Sequence, residues 1–120
     1  MSLRYGFKFV HTRMWHFQLK KAGQFFGTIE DRRDGFIHLS PASEVQETYD
    51  RKFMGKPGLL LVKVDLSVLE DDGIKVCVEK ARNGKFYPHV YGVIIPSSVP
   101  WILDVDTDTT DMNSEYSNQC

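Results

Sequence analysis

The stretch Leu59-Leu60-Leu61-Val62-Lys63-Val64-Asp65-Leu66 constrains the fold more than any other. Neighbouring residues of a strand point to opposite faces, and here both faces begin apolar. Such a strand needs cover from two sides, which places it centrally in a sheet. The chain has 120 residues, enough for one domain around one core, so the remaining elements must be arranged about this strand.

Upstream, Phe7-Lys8-Phe9-Val10 reads as a first strand. His11-Thr12 ends it and opens a helix to about Ala22. Trp15, Leu19 and Ala22 fall on one stripe of that helix, Lys20 and Lys21 suit its last turn, and Gly23 stops it. Phe25-Phe26 reads as a short strand or a loop plug, and Glu30-Asp31-Arg32-Arg33 as an exposed loop. Asp34-Gly35 is a turn dipeptide, and Phe36 to Leu39 is a short buried strand. Ser40-Pro41 then predicts a second helix to about Phe53, with serine as the cap, proline at the first helical position, and Ala42, Val45, Tyr49 and Phe53 near one face.

Beyond the central strand, Ser67 to Leu69 suits a short helical turn and Asp71-Asp72-Gly73 a turn. Ile74 to Glu79 alternates: Ile74, Val76 and Val78 take one face, Lys75, Cys77 and Glu79 the other. Arg82-Asn83-Gly84-Lys85 predicts a hairpin whose Asn-Gly pair supplies two positive-φ residues. Phe86 to Ile95 returns as a strand. Pro88 cannot donate to a ladder, so that strand starts near His89 or lies at an edge there. Trp101-Ile102-Leu103 is a last short strand. Helices first and mostly antiparallel strands afterwards give an α+β domain over residues 1–103. Residues 104–120 form an acidic tail expected to be disordered.

Charge is uneven. The tail holds five acids and no lysine or arginine; removing it from a whole-chain charge of −1 leaves +4 for residues 1–103. That balance suits an anionic small ligand such as a nucleotide, and it lacks the dense basic face of a nucleic-acid binder. No apolar run reaches the length of a membrane helix. The first residues lack the apolar stretch of a signal peptide, and two cysteines, Cys77 and Cys120, imply no disulfide framework. A reducing, cytoplasmic setting is the expectation.

The polar residues that could do chemistry are His11, His38, Ser40, Glu79, His89 and Tyr91. Strand parity puts His38 and Ser40 opposite Ile37 and Leu39, and His89 and Tyr91 together opposite Val90. Each has an ordinary structural explanation as a half-buried or capping group. Three histidines and a glutamate could also ligate zinc or iron, but no pair has metal-motif spacing. Ser40 lacks a nucleophile-elbow context and is explained by helix capping.

Trp15, the run Asp34-Gly35-Phe36-Ile37-His38-Leu39-Ser40, the Leu/Val-rich strand, Glu79, and Phe86-Tyr87-Pro88-His89-Val90-Tyr91-Gly92 together carry a resemblance. They resemble the family known as domain of unknown function nine-five-two, over roughly residues 7–103. Family members usually read Phe-Pro-His; here Tyr87 stands between Phe86 and Pro88. The resemblance implies an ADP-ribosyltransferase-like fold: a split, mostly antiparallel sheet, two flanking helices and a cleft between the sheet halves. It implies NAD as a substrate, or a related nucleotide, and chemistry at the ribosyl glycosidic bond. Glu79 and His38 would then be catalytic, with Glu79 hydrogen-bonding a ribose hydroxyl and stabilising an oxocarbenium-like transition state. His11, Ser40, His89 and Tyr91 would bind substrate. Two alternatives stand beside this: a non-catalytic module for a small anion or a protein, and a histidine-ligated metal enzyme.

Overall fold

The computed structural model describes residues 3–105. Strand β1 (Tyr5–His11) runs into helix α1 (Thr12–Ala22), and α2 (Ile29–Asp34) precedes the two-residue strand β2 (Ile37–His38). A 3₁₀ turn (Ala42–Glu44), helix α3 (Val45–Thr48) and a wide turn (Tyr49–Phe53) form one helical segment. Strand β3 (Leu59–Asp65), helix α4 (Leu66–Asp71), strands β4 (Lys75–Lys80) and β5 (Phe86–Tyr91), a 3₁₀ turn (Pro96–Ser98) and strand β6 (Trp101–Asp104) follow within the described residues.

The strands form two three-stranded antiparallel sheets, ordered β1-β3-β6 and β2-β5-β4. β3 is central in the first, as its sequence demands. Leu60, Val62 and Val64 enter one core with Trp15, Phe25, Leu39 and Val90. Leu59 and Leu61 enter a second core with Phe7, Phe9, Val45 and Tyr49. The sheets are stitched where Phe7 and Ser40 exchange backbone hydrogen bonds of 2.8 Å in both directions. Gly6 sits at this seam because a Cβ there would lie 2.7 Å from Leu39 Cδ1 and 3.1 Å from its Cβ.

Several local expectations are corrected. Residues 30–33 are helical: Thr28 Oγ1 accepts from Asp31 N at 3.1 Å while Asp31 Oδ2 accepts from Thr28 N at 2.9 Å, a reciprocal cap that starts α2. The helices therefore number more than the two expected. In α1 the buried stripe is Trp15 and Gln18, and Ala22 is exposed. Gln18 bonds Gly27 O and Phe26 N, fixing the following loop, and Phe25 bridges Ile94 there. Ser40 makes no cap; Pro41 holds the cap position with extended backbone, because Ser40's backbone is spent on the seam with Phe7. Ala42 is exposed, whereas Val45 and Tyr49 are buried as expected.

At the hairpin only Gly84 has positive φ, so a three-residue loop with glycine in the left-handed position replaces the Asn-Gly type I′ turn. Pro88 lies inside β5, in the middle of its sheet. Its carbonyl accepts from Leu39 N at 3.0 Å, and an antiparallel residue turns its N the same way, so the missing N–H faces the end of the very short β2. The expected domain end at residue 103 falls short: Asp104 closes β6 and Val105 is buried. The rest of the expected tail, 106–120, and Cys120 lie outside the described residues. Among the described residues no helix is long and apolar enough to cross a membrane.

Candidate functional site

A cavity of about 850 Å³ opens at the seam, where β1, the end of β2, the helical segment and the β4–β5 hairpin face one another. Parity builds its floor. Ile37, Leu39 and Val90 turn into the core, so His38, Ser40 and His89 turn to the other face and line the cavity. His38 and His89 are direct cross-strand partners, and their rings stand 5.6 Å apart, edge to face. The walls bring Arg51 and Lys52 from the helical segment, Lys56 from the loop after it and Arg82 from the hairpin. Glu30 is the acid on the wall.

Each imidazole is held from behind. Asp31 Oδ1 lies 2.6 Å from His38 Nδ1, and Glu79 Oε1 lies 2.6 Å from His89 Nδ1. Asp34 Oδ2 also lies 3.1 Å from His38 Nε2. The Tyr91 hydroxyl donates to Glu79 Oε1 at 2.6 Å, and that bond to a carboxylate pushes the phenol up to about 12. The same bond, with the one to His89, holds the Glu79 carboxyl below its ordinary range. Phe36 packs the group together: its ring stacks on His89 at 4.1 Å and touches His38 at 4.6 Å and Tyr91 at 5.3 Å.

Asp31 is the hub of this construction. It is 2% exposed and also takes the Lys8 ammonium, at 3.2 Å on one oxygen and 3.1 Å on the other, and the His38 backbone N–H at 3.2 Å. Burial alone would push its carboxyl up; the bonds from His38, Lys8 and Thr28 more than reverse this and hold it far below the ordinary carboxylate range. Burial lowers the Lys8 amine, against the pull of Asp31. Lys8 Nζ also donates to His38 O at 2.9 Å, so one lysine ties β1 to β2 beside the cavity.

His38, Ser40 and His89 thus meet at one cavity. Glu79 and Tyr91 join the same side-chain cluster, behind His89, but do not line the cavity. His11 is exposed at the end of β1, pairs with Leu59 and stands outside the lining, so the structure does not bring it to the site. Among the described residues no group of three or more His, Cys, Asp or Glu is placed to hold one metal ion.

Sequence reasoning missed Asp31, Lys8, Phe36 and the cationic wall. Two signals were present. Thr28-x-x-Asp31 is the spacing of a reciprocal helix cap, and Lys8 interrupts an otherwise apolar strand.

A crystal structure of protein CC0527 from Caulobacter crescentus matches with a TM-score of 0.76 and 34% identity over 87% of this chain and 88% of that one. Its solution NMR structure matches with a TM-score of 0.72 and 32% identity over 90% of each chain. No curated protein matches. The profile of a family described as "Protein of unknown function (DUF952)" matches residues 10–102. With most of the described strands and helices inside that match, this chain belongs to the DUF952 family.

Proposed function

We propose that the cavity binds a phosphorylated, nucleotide-like small molecule, with NAD and ADP-ribose as the first ligands to test. One observation carries the reading: two carboxylate-held imidazoles sit on the floor of a cavity lined by five cationic side chains, Lys8 among them, against one acid. Arg51 is paired with Glu47 at 3.1 Å, while Lys52 and Arg82 carry no ion pair among the described residues. A concave, partly apolar site with converging cations favours a compact anion. The volume falls within the range of small-molecule sites, roughly 300–1,000 Å³.

Transfer at a ribosyl glycosidic bond, in the manner of the ADP-ribosyltransferase-like reading, asks more. It needs a carboxylate beside the sugar, where positive charge develops. Glu79 is engaged by His89 and Tyr91 outside the lining, and Glu30 is the acid on the wall. That observation favours binding ahead of glycosidic chemistry, and keeps a non-catalytic anion-binding module as the second reading. Titration calorimetry with NAD and with ADP-ribose is the test. Heat of binding that is lost in a Lys52→Ala, Arg82→Ala double variant supports the reading. Folded protein giving no heat at millimolar ligand refutes it.

A further inference from the structure

The two imidazoles on the cavity floor are set up differently. His38 has a carboxylate at each ring nitrogen, Asp31 at 2.6 Å and Asp34 at 3.1 Å. The Nδ1 contact is a hydrogen bond, and Asp34 lies within ion-pair distance of Nε2, where a hydrogen on that nitrogen would meet it. His89 has one carboxylate, Glu79, on Nδ1, and Tyr91 donates to that same oxygen. His89 therefore needs a single N–H, on Nδ1, and keeps Nε2 as an acceptor. A ring with a carboxylate at each nitrogen and a ring with one open nitrogen stand in direct register on adjoining strands, 5.6 Å apart.

The walls decide which bond such a pair would act on. Charge that grows on phosphoryl oxygens is negative and is stabilised by Lys52, Lys56 and Arg82. Charge that grows on a sugar carbon is positive and meets the wrong sign here. We propose that His89 and His38 act as general base and general acid in the hydrolysis of a ribonucleoside cyclic phosphate closed across the two neighbouring ribose hydroxyls. This rests on the cavity binding a phosphorylated ligand, as argued above.

The step balances with water alone. His89 Nε2 takes a proton from water as the water oxygen bonds to phosphorus. The bond from phosphorus to one ribose oxygen breaks, and that oxygen takes the Nε2 proton of His38, standing where Asp34 stands in the free protein. The product is a phosphomonoester with a free ribose hydroxyl. Proton return from His89 to His38 through solvent resets the pair. Asp31 and Glu79 are positioning residues, since each acts through the imidazole it holds.

The test incubates the full chain with ribonucleoside cyclic phosphates and follows product by phosphorus NMR. Turnover with a bell-shaped pH profile is expected. His89→Ala and His38→Ala should each lower kcat by about 100-fold or more, each removing one limb of the profile, while KM moves little. His16→Ala, on the exposed face of α1, should match wild type. Should His38→Ala unfold, His38→Gln, which keeps a donor toward Asp31, takes its place. A His89→Ala rate within about threefold of wild type overturns the pair, because a general base contributes roughly 100-fold or more. If folded protein releases binding heat with a cyclic phosphate but shows no turnover over buffer, the chemistry is wrong and the binding reading stands. If there is neither heat nor turnover, both fall.

Discussion

Replacing Asp31 by Asn changes almost no volume and removes one charge. The carboxylate now accepts from Thr28 N, His38 N, His38 Nδ1 and Lys8 Nζ, donors drawn from three elements. The amide has one oxygen. In either orientation its NH₂ group faces a donor, Thr28 N or the ring and backbone of His38, and the Lys8 ammonium is left buried without an anion. Removing one partner of a buried pair costs about 3–5 kcal/mol, against a total stability of about 5–15 kcal/mol for a domain. At about 4–8 °C per kcal/mol, the melting temperature should fall by at least 12 °C or so. The assay is urea unfolding followed by tryptophan fluorescence at pH 7, with Lys8→Met added in a double-mutant cycle. Removing the stranded ammonium should return at least about 1.5 kcal/mol, so the double variant is more stable than Asp31→Asn alone. The acid side gives a second reading. The folded Asp31 carboxyl is held below its ordinary 3.8, so its stabilisation is present above that value and is lost as pH falls through the lower, folded one. The gap between wild type and Asp31→Asn should therefore narrow below about pH 4. A loss under about 1 kcal/mol, the size expected of a surface substitution, would refute the hub. So would a double variant whose loss equals the sum of the two single ones.

Gly6→Ala should cost about 1–3 kcal/mol by overpacking, because the new methyl meets Leu39 and Pro88 at the seam between the sheets; chemical denaturation measures it. The Tyr49 hydroxyl is buried and has no hydrogen-bond partner among the described residues, so Tyr49→Phe should leave stability unchanged or raise it by about 1 kcal/mol, read as a shift in the denaturation midpoint. His11→Ala should leave ligand binding unchanged by calorimetry, since His11 stands outside the cavity lining; a tenfold loss would return His11 to the site.

Much of the secondary structure is local and so legible. Strand β3 follows from an apolar run with no other way to be covered. Helix α1 ends where Gly23, at φ 73°, accepts the left-handed turn that closes it. Parity alone put His38 with Ser40, His89 with Tyr91, and Glu79 on the face of β4 opposite Val76 and Val78, and Glu79 meets His89 and Tyr91 there. Periodicity can do this because a strand has two faces, and burial of one fixes the other.

What periodicity cannot carry is which distant faces meet. His11 satisfied the same local rule as His38, a histidine at a strand end, yet only His38 has a partner strand that brings another histidine against it. Asp31 looked like one charge among four in a row. It became the anchor because the cap at Thr28 turned it inward, toward Lys8 on β1 and His38 on β2, residues 23 positions before it and 7 after it. The sequence by itself determined the central strand, helix α1, the parity of the site strands and the family likeness, since each depends on neighbours within a few residues. The tertiary structure alone decided that the two sheets join at the Phe7–Ser40 seam beside a cation-walled cavity with two imidazoles on its floor, since that depends on chain segments brought together only by packing.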